Sequence, residues 1–210
     1  MPGRKSFLLY ILFILLSISI AQEKVTFSSA NPFSFRDIIM SLNNNEEQQV
    51  SGILTFPENY DISKEYPLVV GVAGSLGWRE HHYEFLKMYN EMGIATFELN
   101  SFSSRGINST VGTQVEVTTA MMILDSYRAL DILSEHPNID QEKIAITGWS
   151  LGGGVALYSG WIPLINAIEP NNRFKAHLPF YPACVVIPEI LDYTNSPIHI
   201  LIGELDNWTP

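Results

Sequence analysis

A chain of 210 residues, 46% apolar and 16% charged, has enough material for one packed domain and too apolar a composition for a disordered one. Its net charge of −10 argues against nucleic acid and anionic membrane surfaces as partners.

Residues 1–21 read as a secretory signal peptide. Arg4 and Lys5 precede the uncharged run Phe7 to Ile20, and Ser19-Ile20-Ala21 places small residues before a cut at Gln22. An uncleaved anchor is the alternative, but a spanning helix needs about 20 apolar residues and this run has 14. Without Arg4 and Lys5 the mature domain, 22–210, carries 10 basic against 22 acidic residues, a charge of −12. The expected location is periplasmic or secreted, with no stable membrane insertion after cleavage. Cys184, the single cysteine, permits no internal disulfide and is expected to be a buried small residue. Asn108-Ser109-Thr110 and Asn207-Trp208-Thr209 match the glycosylation sequon.

From Phe33 onward the chain shows no repeat and no linker. The stretches FSFRDIIMSL (33–42) and QQVSGILTF (48–56) flank a polar NNNEE and read as two strands of an antiparallel start. YPLVVGVAG (66–74) is a short apolar run ending in glycine, the pattern of a buried parallel strand. HHYEFLKMYNEMG (81–93) reads as a helix stopped by Gly93, and IATFEL (94–99) as the next strand. A long helix is expected from about Thr113 to His136, with Ala120, Ile123, Tyr127 and Leu130 on one stripe. KIAIT (143–147) is another strand and SLGGGVALYSG (150–160) a helix; AHLPF (176–180) and PIHILIG (197–203) are two further strands. Strands alternating with helices mean right-handed βαβ units and a mostly parallel sheet, here of about seven strands in one domain.

Gly148-Trp149-Ser150-Leu151-Gly152 matches G-x-S-x-G between a predicted strand and a predicted helix. A nucleophile on such a sharp turn needs small neighbours two residues to either side, because strand and helix approach closely there. The turn places the Ser150 hydroxyl at a helix N-terminus, which favours the negative charge that develops in acyl transfer. The oxyanion donors are then the N–H of Leu151 and one from the Ala73-Gly74-Ser75 loop, with Ser75 first and Leu76 behind it. Asp206, just beyond the last predicted strand, is the candidate acid, with Glu204 as competitor. No histidine follows it. His81, His82, His136, His177 and His199 all precede the acid, and each reads as a surface, cap or core residue.

Four separated segments, residues 74–106, 148–153 (GWSLGG), 180–184 (FYPAC) and 202–210 (IGELDNWTP), together resemble the dienelactone hydrolase family. The resemblance implies an α/β-hydrolase fold lacking its final strand and helix, and so a piece of a longer protein. It implies Ser150 as nucleophile and Asp206 as triad acid, with the histidine beyond residue 210 and little turnover by these residues alone. The namesake enzyme has Cys at the elbow, so a general carboxylic ester or lactone is the expected substrate. Arg105, in SFSSRG, would either bind a substrate carboxylate or fix its loop through backbone carbonyls. Acyl-enzyme chemistry of this kind needs no metal or organic cofactor. A prolyl-oligopeptidase-type peptidase and a non-catalytic binding protein on the same fold are the alternatives.

Overall fold

The computed structural model describes residues 22–113, 115–184 and 186–209. The expected signal peptide lies outside the described residues. In chain order the elements are β1 (Gln22–Ala30), α1 (Phe35–Ser41), β2 (Glu47–Thr55), β3 (Tyr66–Val72), α2 (Glu80–Glu91), β4 (Ala95–Leu99), α3 (Thr119–Ser134), β5 (Ile139–Trp149), α4 (Leu151–Tyr158), α5 (Ile162–Ile168) and β6 (Ala176–Phe180). The six strands form one sheet in the order β1-β2-β4-β3-β5-β6. The β1–β2 and β2–β4 pairs are antiparallel, and the β4–β3, β3–β5 and β5–β6 pairs are parallel.

The parallel centre forms because its strands are apolar on both faces. In β3, Leu68 to Val72 are all buried, and helices cover each side. β2 alternates instead: Val50, Gly52 and Leu54 face the core. α3 is buried along most of its length, including Asp125, Ser126 and Tyr127. The Tyr127 hydroxyl donates to the Ser159 carbonyl, and burial raises its pKa.

Three expectations change here. The first predicted strand, 33–42, is instead helix α1. Ser34 caps it, with its N–H 2.8 Å from the Asp37 carboxylate and its Oγ accepting from the Asp37 N–H. The antiparallel start is real, but its first strand is β1. The long helix begins at Thr119, where Thr118 caps it through the Met121 N–H, and not near Thr113. The seventh strand, 197–203, is reduced to two parallel bridges beside β6, His177 with Ile198 and Phe180 with Leu201. Its outer face carries Ile200, Leu201 and Ile202, all exposed.

Candidate active site

β5 runs through Ile146 and Thr147 to Trp149 and turns at Ser150 into α4. Ser150 has φ 55° and ψ −113°, a conformation that costs an L-residue about 1–3 kcal/mol. Its surroundings hold it there. The Ser150 N–H donates to the Phe180 carbonyl at 3.0 Å, and its carbonyl accepts from Gly154 at 2.9 Å and Ala183 at 3.1 Å. The glycines on either side are sterically required. A Cβ on Gly148 would lie 2.1 Å from the Gly152 oxygen, and one on Gly152 would lie 2.2 Å from the Val72 oxygen. A Cβ on Gly153 would likewise lie 2.4 Å from the Phe180 oxygen. The spacing of the motif is therefore the spacing of the strand–helix approach.

The Ser150 Oγ makes no hydrogen bond to a described residue. It opens into a cavity of about 630 Å³ lined in part by Ser75, Leu151, Cys184 and Trp208, and into an adjoining hollow of about 280 Å³. Leu151 is the first residue of α4, so its N–H has no acceptor within the helix. The loop after β3 lies against the elbow: a Cβ on Gly74 would come 3.6 Å from the Ser150 Cβ. The Gly74 carbonyl accepts from Gly77 at 2.9 Å, and a trans peptide sends the Ser75 N–H the opposite way. The Ser75 carbonyl is pinned by the Thr110 N–H at 2.9 Å and the Ser109 hydroxyl at 3.1 Å. Ser75 and Leu151 thus line the same cavity as Ser150.

Asp206 stands beside the same cavity, whose wall includes the three residues after it, Asn207, Trp208 and Thr209. Its Oδ1 accepts from the N–H groups of Trp208 (2.9 Å) and Thr209 (3.0 Å), and its Oδ2 from the Thr209 hydroxyl (2.7 Å). The Thr209 and Trp208 donors hold its carboxyl below the usual carboxylate range. Glu204 is exposed and lines neither cavity at Ser150. No histidine ring is hydrogen-bonded to Asp206 or Ser150. His82 is buried against Trp149, with ring centroids 4.6 Å apart, and its Nδ1 accepts from the Arg79 N–H. Burial, with His81 and Arg79 nearby, pushes its pKa down to about 4. His177 is a core residue whose Nδ1 lies 2.9 Å from the Ala156 carbonyl.

Arg105 takes the second of its two expected roles, fixing its loop, and Cys184 differs from expectation. Arg105 does not face the cavity. Its five N–H groups go to Asp125 (2.7 and 3.1 Å), Asn31, the Ser101 carbonyl and the Ala30 carbonyl, and its side chain is 6% exposed. No donor remains for a substrate carboxylate, so the guanidinium serves the fold. Cys184 is exposed on the cavity wall and not buried, because the loop after β6 carries it outward past Ser150. Partial desolvation by the cavity wall raises the pKa of its thiol above the ordinary value. Sequence reading missed Trp208, Tyr181 and Arg79 as cavity residues. Trp208, an 83% exposed indole next to the acid, was the one with a readable signal.

The sheet order, the elbow at the end of β5 and the cavity over the carboxyl ends of the parallel strands settle the architecture. This is an α/β-hydrolase fold. The family profile of Acetyl xylan esterase (AXE1) matches residues 115–185, which span α3, β5, the elbow and β6. No curated protein matches the sequence. Among solved structures, the chain resembles the dienelactone hydrolase-like promiscuous phosphotriesterase P91 from metagenomic libraries. That match has 18% identity over 89% of this chain and 71% of the other, with a TM-score of 0.58. A putative dienelactone hydrolase from Klebsiella pneumoniae gives 17% identity, 86% and 72% coverage and a TM-score of 0.50. A thermophilic esterase from Thermogutta terrifontis gives 16% identity, 67% and 52% coverage and a TM-score of 0.52. The solved structures that share this fold thus include dienelactone-hydrolase-like proteins and esterases.

Proposed function

We propose that the protein is a serine hydrolase of carboxylic esters or lactones that works through an acyl-enzyme on Ser150. The observation that carries this reading is the strained Ser150, held at φ 55° in a cavity lined also by Ser75 and Leu151, with no hydrogen bond from its hydroxyl to a described residue. A residue is kept in such a conformation only where the surrounding fold enforces it, and such strain clusters at active sites. The names of the matched family and of the structural relatives, esterases and dienelactone hydrolases, support the same chemistry.

In this mechanism the Ser150 oxygen attacks the ester carbonyl and its proton passes to an imidazole. The N–H groups of Leu151 and Ser75 stabilise the oxyanion. Collapse of the tetrahedral adduct expels the alcohol, which takes the proton back, and water then hydrolyses the acyl-enzyme. Asp206 is the carboxylate that would orient the imidazole. None of the five histidines is hydrogen-bonded to both Ser150 and Asp206, and His82 is too weak a base at neutral pH. These residues alone are therefore expected to turn over esters slowly. The leader-like start of the sequence supports export to the periplasm or the exterior.

The test is hydrolysis of p-nitrophenyl acetate by the 210-residue chain, with and without added imidazole. The reading predicts slow release in excess of that from imidazole alone, an excess that imidazole increases and that Ser150→Ala abolishes. Equal release by Ser150→Ala and the unsubstituted protein would overturn it.

A further inference from the structure

His82 is the third residue of α2, and its ring packs against the elbow. Trp149, the residue before Ser150, covers one side of it, with centroids 4.6 Å apart and planes at 32°. Trp78 meets the ring edge-on at 5.6 Å and His81 at 4.0 Å. What remains uncovered lines the hollow of about 280 Å³ beside Ser150, together with Gly74, Ser75 and Tyr181.

The two ring nitrogens have different roles. Nδ1 accepts the Arg79 N–H at 3.1 Å. A proton on Nδ1 would point at that donor, so the neutral ring carries its hydrogen on Nε2. Nε2 makes no hydrogen bond to a described residue. Among the described residues, the side-chain polar atoms sealed from solvent without a partner are the hydroxyls of Tyr89 and Ser101 and the Trp149 Nε1. The His82 Nε2 is not one of them, so it reaches open space, and the open space this ring lines is the hollow. The charged ring is disfavoured. Burial, His81 and Arg79 all oppose a second proton, and no carboxylate among the described residues lines the hollow to offset them.

A ring with Nδ1 occupied and Nε2 protonated has no lone pair free to take the Ser150 proton. It can only donate. We infer that His82 is a neutral hydrogen-bond donor, through Nε2–H, to an oxygen of the ester bound at Ser150. The inference rests on the hydrolase reading, which supplies the ester. The bond strengthens as that oxygen gains negative charge in the reaction, and the ring transfers no proton. His82 therefore favours substrates that place an acceptor oxygen in the hollow. An apolar or ammonium group there would leave the donor unpaired.

Long-range proton–nitrogen NMR of the histidine side chains in the 210-residue chain tests this without altering His82. At neutral pH the Nε2–H tautomer is expected. In Ser150→Ala, titration with δ-valerolactone, which has acceptor oxygens and no donor, should move the Nε2–H resonance saturably. His82→Phe should also slow fluorophosphonate labelling of Ser150 about tenfold or more, the scale of one hydrogen bond to a charged group. Circular dichroism verifies that the variant is folded at the labelling temperature. An Nδ1–H tautomer or an imidazolium at neutral pH, an Nε2–H resonance that the lactone leaves in place, or unchanged labelling of folded His82→Phe would overturn the donor. Labelling of Ser150 in the unsubstituted protein separates the two readings. Labelling with an unmoved Nε2–H removes the donor alone. A saturable Nε2–H shift without labelling removes the hydrolase reading and keeps His82 as a donor to a bound ligand.

Discussion

Arg105 and Asp125 form a buried two-point ion pair, Nη1 to Oδ2 at 2.7 Å and Nη2 to Oδ1 at 3.1 Å, that ties the loop after β4 to helix α3. The Ser29 hydroxyl also donates to Asp125 at 2.6 Å, and Arg105 reaches the Ala30 carbonyl, so β1 joins the same network. Removing one partner leaves an uncompensated charge in the core. Arg105→Ala should therefore cost about 3–5 kcal/mol of stability, and Arg105→Lys should recover little, because a point charge cannot replace the fork. Urea denaturation measures both. A loss of substrate affinity with unchanged stability would contradict the structural role.

The elbow glycines give a second, steric prediction. A Cβ on Gly152 would lie 2.2 Å from the Val72 oxygen and 2.5 Å from the Ala73 oxygen, both backbone atoms that cannot swing aside. Gly152→Ala must push α4 off the sheet and should cost about 3 kcal/mol or prevent soluble folding. Thermal melting against the unsubstituted protein reports the loss.

Ser150 itself is expected to be destabilising. Ser150→Gly removes the Cβ from a backbone with φ 55° and should raise stability by about 1 kcal/mol while removing the hydroxyl. Ser150→Ala keeps the strain and should leave stability nearly unchanged. Equal melting temperatures for Ser150→Gly and Ser150→Ala would show that the turn is not strained.

The pH dependence has a definite sign. The folded pKa of His82 lies near 4, below its ordinary 6.5, because burial disfavours the charged ring. His177 is shifted in the same direction for the same reason. Between pH 6.5 and about 4 the unfolded chain takes up protons that the folded chain refuses. The stability contributed by the neutral rings is thus complete above pH 6.5 and falls as the pH drops toward 4. His82→Phe, which keeps an aromatic ring against Trp149, should lower stability at neutral pH through the lost Arg79 N–H acceptor and flatten the acid limb. An acid limb of unchanged slope in that variant would show that His82 does not carry it.

The sequence made the parallel centre and the elbow legible because both are local. An apolar run closed by glycine is a buried strand, and G-x-S-x-G between strand and helix has one steric meaning. Helix α1 carries its own signals, which the strand expectation for 33–42 overlooks: Phe35, Ile38, Ile39 and Leu42 fall at helical spacing, and Ser34 with Asp37 forms a capping box. β1 shows period-two burial at Phe27 and Ser29, yet its polar ends hide the strand pattern in the sequence. Arg105 could not be resolved from sequence, since its partner Asp125 lies 20 residues away and its other contacts are with β1 and Asn31. The exposure of Cys184 follows from the path of the loop after β6, which composition does not encode.

The nucleophile is tested most directly by mass spectrometry of the 210-residue chain after reaction with an excess of a small fluorophosphonate. The account predicts one adduct, on the peptide that contains Ser150, absent from Ser150→Ala and formed faster when imidazole is added. A folded protein that shows no adduct on Ser150, or one that is labelled equally in Ser150→Ala, would contradict it.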